Sequence, residues 1–491
     1  MIDRLKPYPD YKDSGVPWLG EVPEHWEVRR LKRIARLNPS KSEVPLAMRN
    51  DSAVFLPMER VGSDGRFDAS EVRSISALWN GFTYFRRGDV IVAKITPCFE
   101  NGKGACLQNL PTSVGFGSTE FHVMRPSGAV TAPYLYRITT LSEFRRLGAD
   151  EMTGAAGQQR VPAEFIANFL IPLPPLPEQT AIVRLLDYTD RRVRRSIRAK
   201  QKRIKLLEEY RQALIHQAVT GQIDVRTGKR YPAYKDSGVE WLGQVPEHWE
   251  VRRLKRIARL NPSKSEIPLA MRNDPAVFLP MERVGLDGQI DASEVRSISA
   301  LWNGFTYFRR GDVIVAKITP CFENGKGACL QNLPTSVGFG STEFHVIRPS
   351  GAVTVPYLYR ITTLSEFRRL GADEMTGAAG QQRVPAEFIA NFLIPLPPLP
   401  EQTAIAEYLD AQTAKIDAAI AAARRAIELL REYRERLIAD VVTGKLDVRE
   451  VAECLPEEAE EPELLQEEVE LLSGESEETS EALSADEESE G

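Results

Sequence analysis

NFLIPLPPLPEQTAI, residues 168–182, recurs letter for letter as residues 391–405. Each copy reads in three parts. Phe169, Leu170 and Ile171 close an apolar, strand-like run. Pro172, Pro174, Pro175 and Pro177 then bar helix and ladder pairing, which predicts a stiff extended connector. After Pro177, the acid of Glu178 suits a helix N-terminus, and a long helical pattern follows. A globular unit stops, a rigid joint follows and a long helix leaves it, once near the middle of the chain and once near its end.

Outward from the joint the whole chain is doubled. A shift of 223 residues lays Tyr11 on Tyr234, Trp18 on Trp241, Trp26 on Trp249 and Lys94 on Lys317. Over residues 25–182 only seven positions differ: Val44/Ile267, Ser52/Pro275, Ser63/Leu286, Arg66/Gln289, Phe67/Ile290, Met124/Ile347 and Ala132/Val355. Two copies of one large unit are not a solenoid, which stacks several short repeats.

Each unit opens on an irregular arm punctuated by Gly15, Pro17, Gly20 and Pro23, with Trp18, Leu19 and Trp26 as packing anchors. Residues 53–61 and 88–97 have strand composition. Residues 118–126 alternate, as a half-exposed strand would. Residues 132–148 carry Tyr134, Leu135, Ile138, Leu141 and Phe144 at helical spacing and end at Gly148. Residues 161–172 read as a short helix running into a final strand. Roughly 150 residues suffice for a core, and the mixture predicts an α/β (α+β) domain.

The helices that leave the joints lack internal Pro and Gly. In the second, Ile405, Leu409, Ile416, Ile420, Ile427, Leu430, Leu437 and Val441 form a seam, matched in the first by Ile182, Leu186, Val193, Ile197, Ile204, Leu207, Leu214 and Ala218. Such seams want a helical partner, and the economical partner is the other copy. The expectation is an antiparallel coiled-coil pair of rods about 60 Å long, closed by Thr220-Gly221 and Thr443-Gly444, in a pseudo-two-fold internal repeat. Outside the seam, residues 191–205 hold nine basic residues and no acid, while the matching 414–428 are alanine-rich and nearly neutral.

The net charge of −6 conceals a split. Residues 450–491 hold 18 acids and no base; residues 1–449 hold 63 basic against 51 acidic residues, a net of +12. A basic body points to a polyanion, nucleic acid first, and an acidic tail poor in aromatics is expected to be disordered. No apolar run is long enough for a membrane span, and the opening residues have no signal-peptide core, so a cytoplasmic protein is expected. Cys98, Cys106, Cys321, Cys329 and Cys454 form no CxxC pair and point to reduced thiols, not a metal site.

No catalytic pattern emerges. PCFENGKGA, the nearest string to a P-loop, has Pro97 where the first Gly belongs. GDVIVAK supplies Asp89 and Lys94, but Val92 stands where a nuclease would need its second acid. His25 and His122, with copies His248 and His345, read as structural or surface residues. No cofactor is expected on this chain.

The doubled PLPPLPEQTAI before each long helix, the openings YKDSGVPWLGEVPEHWEV and YKDSGVEWLGQVPEHWEV, and TGAAGQQRVPAEFIANFLIPLPPLPEQ resemble the specificity subunit of type I restriction–modification enzymes over about residues 8–448. That resemblance implies two target recognition domains, each reading one part of a split double-stranded DNA sequence, held apart by two helices that bind two modification subunits. Those partners carry S-adenosylmethionine and methylate adenine; restriction subunits add translocation and cleavage. The specificity subunit itself catalyses nothing. The layout expected is an arm at 1–20, recognition domains at 21–177 and 244–400, spacer helices at 178–222 and 401–445, a linker arm at 223–243 and the acidic tail at 450–491. Two features depart from the family pattern: the domains are nearly one sequence, and the tail is long.

DNA reading needs Arg or Lys for guanine, Asn or Gln for adenine, and hydroxyls or amides for phosphate. Two loop-like stretches concentrate these types. Residues 94–104 offer Lys94, Thr96, Asn101 and Lys103, copied as Lys317, Thr319, Asn324 and Lys326. Residues 153–160 offer Gln158, Gln159 and Arg160, copied as Gln381, Gln382 and Arg383, with Gly154 and Gly157 expected to let the backbone approach DNA. Two other readings stay open on the residues alone: a solitary specificity-like modulator of such a system, and a coiled-coil adaptor holding two identical protein-binding domains.

Overall fold

The structure, a computed structural model, describes residues 5–456 except 156, 287 and 379. The chain divides into two compact units, one of residues up to Ser196 with those from Leu429 onward, the other of Ile197–Glu428. The division therefore falls inside both long helices and not at the proline joints.

The first unit runs β1 (Tyr11–Asp13), β2 (Glu21–Pro23), β3 (Glu27–Arg30), β4 (Ala35–Leu37), β5 (Ser52–Leu56), β6 (Val72–Ser74), α1 (Ile75–Leu78), β7 (Thr83–Arg86), β8 (Val90–Ala93), β9 (Gly104–Cys106), β10 (Val114–Gly117), β11 (Phe121–Pro126), α2 (Ala132–Thr139), α3 (Ser142–Asp150), α4 (Ala163–Asn168), β12 (Leu170–Leu173) and the start of α5 (Leu176–Val219). The second copy repeats this order through α6 (Ile298–Leu301), α7 (Val355–Thr362), α8 (Ser365–Asp373) and α9 (Ala386–Asn391) to α10 (Leu399–Val442), and α11 (Arg449–Glu453) follows.

Two four-stranded sheets build each globular part. In the first unit their orders are β6-β5-β10-β7, with β5 and β10 parallel, and β4-β11-β8-β9, wholly antiparallel. Val54, Leu56 and Phe85 of one sheet meet Ile91, Phe121 and Val123 of the other. Because side chains alternate across a strand, the intervening residues need cover too. Ala53 and Phe55 pack with Ile75 and Leu78 of α1, and Val90 and Val92 pack with α2. Strands covered on both faces read as unbroken apolar runs, which is why GDVIVAK is legible.

Three local expectations need correction. β11 is buried on both faces rather than half-exposed. Its polar members have internal partners: His122 Nε2 lies 2.9 Å from the Val161 carbonyl, and Arg125 donates to Asp89 at 2.8 Å. The helix expected over 132–148 breaks into α2 and α3, because the Thr139 and Thr140 hydroxyls donate back to the Tyr136 and Arg137 carbonyls at 2.7 Å and end the first helix. The proline joint is shorter than expected. Pro172 lies in β12 opposite Val28 of β3, a two-stranded ladder. Pro177 lies in the first turn of α5, where its missing N–H costs nothing. Only Pro174 and Pro175 bridge strand and helix.

Each unit packs the start of one long helix against the end of the other. In the first, Ile182, Leu185 and Leu186 of α5 share a core with Leu437, Ile438, Val441 and Val442 of α10. In the second, Leu214, Ile215, Ala218 and Val219 of α5 join Ile405, Leu409, Ile416 and Ile420 of α10. The pair is antiparallel, as the seams require. Midway along α10 the seam residues Ile416, Ile420 and Ile427 are buried, while Ile197, Ile204, Leu207 and Leu430 are half-buried. Thr220 and Thr443 donate to the carbonyls one turn back at 2.7 Å, and Gly221 and Gly444 take positive φ, the expected C-terminal caps.

The acidic tail does not begin at Glu450. Residues 449–453 form α11, and Val451, Ala452 and Leu455 are buried in the first unit's core. Arg184 of α5 donates to the Leu455 carbonyl at 2.7 Å. The apolar side chains of VAECL outweigh the local acidity. The rest of the tail, from 457, lies outside the described residues.

Candidate nucleic-acid interface

Both candidate stretches of the first unit meet at the end of β8. The Lys94 amide donates to the Glu120 carbonyl and the Lys94 carbonyl accepts from Val161, each at 2.8 Å. The Thr96 amide donates to the Gln159 carbonyl at 3.0 Å, and the Gln159 amide donates to the Thr96 hydroxyl at 3.1 Å. Ile95 and Thr153 each pair with Arg160. Residues far apart in sequence thus form one continuous surface. The second unit repeats it: Thr319 donates to Gln382 at 3.0 Å, and Val384 to Lys317 at 2.8 Å.

Within this surface the candidates are not equivalent. Asn101 and Gln158 are exposed; Lys94, Thr96, Lys103, Gln159 and Arg160 are half-buried, and the copies Asn324, Gln381, Lys317, Thr319, Lys326, Gln382 and Arg383 fall in the same classes. The Thr96 hydroxyl is spent on knitting the loops. Lys103 Nζ reaches the Met58 carbonyl at 3.4 Å, and Lys326 Nζ the Met281 carbonyl at 3.3 Å. Gly154, at φ +130°, serves the turn itself: a Cβ there would stand 2.9 Å from the Gln158 carbonyl. Its glycine is required by the protein's own backbone, a reason the expected close approach to DNA had overlooked.

Arg160 reaches a residue that the sequence reading passed over. Its Nε and Nη2 donate to the two carboxylate oxygens of Glu120, both at 3.0 Å, and Nη1 donates to the Gln158 carbonyl at 3.1 Å. Arg383 treats Glu343 and Gln381 alike, at 2.9, 3.0 and 3.2 Å. The hydrogen bonds from Arg160 hold the Glu120 carboxyl below the usual carboxylate range, against some burial. Behind this pair His122 is buried, and desolvation keeps its imidazole below the ordinary value; with Asn38 and the Val161 carbonyl as its neighbours, its role is structural, as expected. The only trace of Glu120 in the sequence is an acid at the head of the β11 string, beside no obvious base.

Three of the seven differing positions, 63, 66 and 67, sit on a turn closed by a bridge between Val61 and Phe67. Phe67 and Ile290 pack into their respective cores, whereas Ser63 and Arg66 are exposed. Arg194 of α5 grips this turn in the first unit, donating to the Asp64 carboxylate at 2.5 Å and its carbonyl at 2.8 Å. The corresponding helix residue of the second copy is Asp417, which faces Arg211 at 3.7 Å. Among the described residues no group of three or more His, Cys, Asp or Glu is set to hold a metal ion, and no helix is long and apolar enough to cross a membrane.

A family profile described as the type I restriction modification DNA specificity domain matches residues 23–206 and again 246–428. The chain belongs to this family. Two Escherichia coli relatives, the type I restriction enzyme EcoAI and EcoEI specificity subunits, are 38% and 39% identical over 186 and 183 residues, 37% of this chain in each case. Those alignments span only 30% of either relative's length. A putative type I restriction enzyme MjaX specificity subunit of Methanocaldococcus jannaschii is 23% identical over 88% of this chain and 96% of its own. Among solved structures, the HsdS subunit from Thermoanaerobacter tengcongensis superposes with a TM-score of 0.52 at 19% identity, over 86% of this chain and 98% of that one. A chain from a structure of type I R-M complex assembly and conformational transition reaches 0.65, also at 19% identity, with the same coverage. These two share the fold of this specificity-domain protein: two mixed α/β domains with a packed pair of long helices.

Proposed function

We propose that this chain is the DNA sequence-recognition subunit of a type I restriction–modification system. It reads a bipartite duplex target, one part with each unit, and directs adenine methylation and restriction by partner subunits. The observation that carries this reading is the recurrence of one composite surface, 94–103 against 153–160, in both units of a specificity-domain chain. In this reading the chain is cytoplasmic and catalyses nothing. Two modification subunits dock on it and bring the S-adenosylmethionine, and restriction subunits complete the assembly.

The target follows from the near identity of the copies. Lys94, Asn101, Gln158 and Arg160 recur unchanged as Lys317, Asn324, Gln381 and Arg383, so both halves read the same bases. With antiparallel helices the half-sites are inverted, as in dimeric repressors on palindromes. The expected target is an interrupted palindrome with a fixed non-specific spacer. Long-read mapping of methylated adenines in a host carrying the chain and its modification subunit tests this. Inverted, matching half-sites support it; unrelated half-sites or direct repeats defeat it.

A further inference from the structure

Arg160 is anchored in a way that suits one base. A guanidinium carries five N–H groups, and three of those on Arg160 are spent on Glu120 and the Gln158 carbonyl. Among the described residues two remain without a partner, one on each terminal nitrogen, the number that a bidentate bond to guanine O6 and N7 takes. The Arg160 side chain is 43% exposed and that of Glu120 only 23%; Arg383 and Glu343 repeat this at 42% and 24%. The carboxylate thus sits under a fork that still faces solvent. A long arginine loses rotamer freedom when it docks, and a fork fixed beforehand loses less.

We propose that Glu120 and Glu343 are positioning residues that hold Arg160 and Arg383 as preformed readers of guanine, so that each half of the target contains a G·C pair read from the major groove. This rests on the composite surface being the DNA-reading surface. It adds a base identity and two residues to that reading.

The test is a binding selection of the full-length chain on a pool of random-sequence duplexes, at fixed salt. Wild type is compared with Glu120→Gln and Arg160→Lys, which alter one unit and leave the other as an internal reference. The expected result is a guanine position in one half-site whose preference falls by roughly 10- to 100-fold in either variant, with the other half-site unchanged. Placing 7-deazaguanine at that position, which removes N7, should reproduce the loss with the unaltered protein, so a misfolded variant cannot decide the matter. Uniform weakening of all sequences with a shallower salt dependence would make Arg160 a phosphate contact and overturn the proposal. Unchanged selection in both variants would overturn it while leaving DNA reading intact. A wild-type chain that enriches no sequence would overturn the underlying reading itself.

Discussion

Glu178 and its copy Glu401, in the first turn of a long helix, each gather two buried donors, a Tyr and a Trp, and one exposed His. Glu401 accepts from Tyr231 at 3.1 Å, Trp249 Nε1 at 3.0 Å and His248 Nε2 at 2.9 Å; Tyr8, Trp26 and His25 surround Glu178 in the same way. Replacing Glu178 by Ala leaves the Trp26 and Tyr8 donors buried without acceptors. The expected cost is about 1–3 kcal/mol in the first unit, read by urea unfolding. Burial pushes the Glu401 carboxyl up, but the hydrogen bonds from His248, Trp249 and Tyr231 outweigh it and hold the group below the usual range. Its folded value is therefore the lower one. The stabilisation is present above the unfolded value of about 4.3 and is lost as pH falls through the folded value. Glu401→Gln should flatten this acid limb of the stability profile; an unchanged slope between about pH 5 and 3 would contradict it. Gly444 is a second sensitive position. At φ +81°, a Cβ would also run into Pro23 and Trp26, so Gly444→Ala should destabilise by more than the about 1–2 kcal/mol of the left-handed backbone alone.

The long helices carry the coupling at the level of elements. Ile427 is buried and Ile204 half-buried, packed against the second unit's core. Replacing both by Asp places two acids in that contact at a cost of several kcal/mol, on the order of the burial penalty of unpaired polar groups. The globular sheets have their own cores between β5, β8 and β11 and should stay folded. The fixed spacing between half-sites should be lost, and methylome mapping would read it; unchanged spacing selectivity would refute the paired-helix account. Loops follow the same logic. The 153–160 turn depends on Thr96, Arg160 and Gly154, so its shape belongs to the pair of loops and not to either alone.

At the scale of the whole molecule, the charge split and the path of the chain make separate predictions. Residues 457–491 hold 16 acids and no base, beyond the ordered α11. Removing them, and not α11, should leave folding and partner binding intact while tightening non-specific DNA binding at low salt. Filter binding across salt concentrations reads this, and loss of partner binding would refute it. Chain path supplies a second. In the first unit the Asp447 amide donates to the Lys6 carbonyl at 2.7 Å, and in the second the Asp224 amide donates to the Lys229 carbonyl at the same distance. A segment as short as 225–228 therefore spans this gap. A permuted chain joined from Asp447 to Lys6 by Val-Arg-Thr-Gly and opened between Thr227 and Gly228 should fold and select the same target, less stable than the parent because the buried contacts of α11 are lost.

Much of this was written locally. The duplication, the strand composition of β5 and β8, the seams, the caps at Gly221 and Gly444 and the anchoring of Trp26 all follow from residue type and spacing, because periodicity and turn chemistry act within a few residues of the chain. Other features needed the folded path. His122 and Arg125 could be buried only because Val161 and Asp89 supply partners from other elements. VAECL could dock only because α5 and α10 bring a core to it. Glu120 meets Arg160 only because β11 and the 153–160 turn converge beside β8. Ion pairs and hydrogen bonds between distant segments have no period to read; they exist where the tertiary path brings donor and acceptor within about 3 Å.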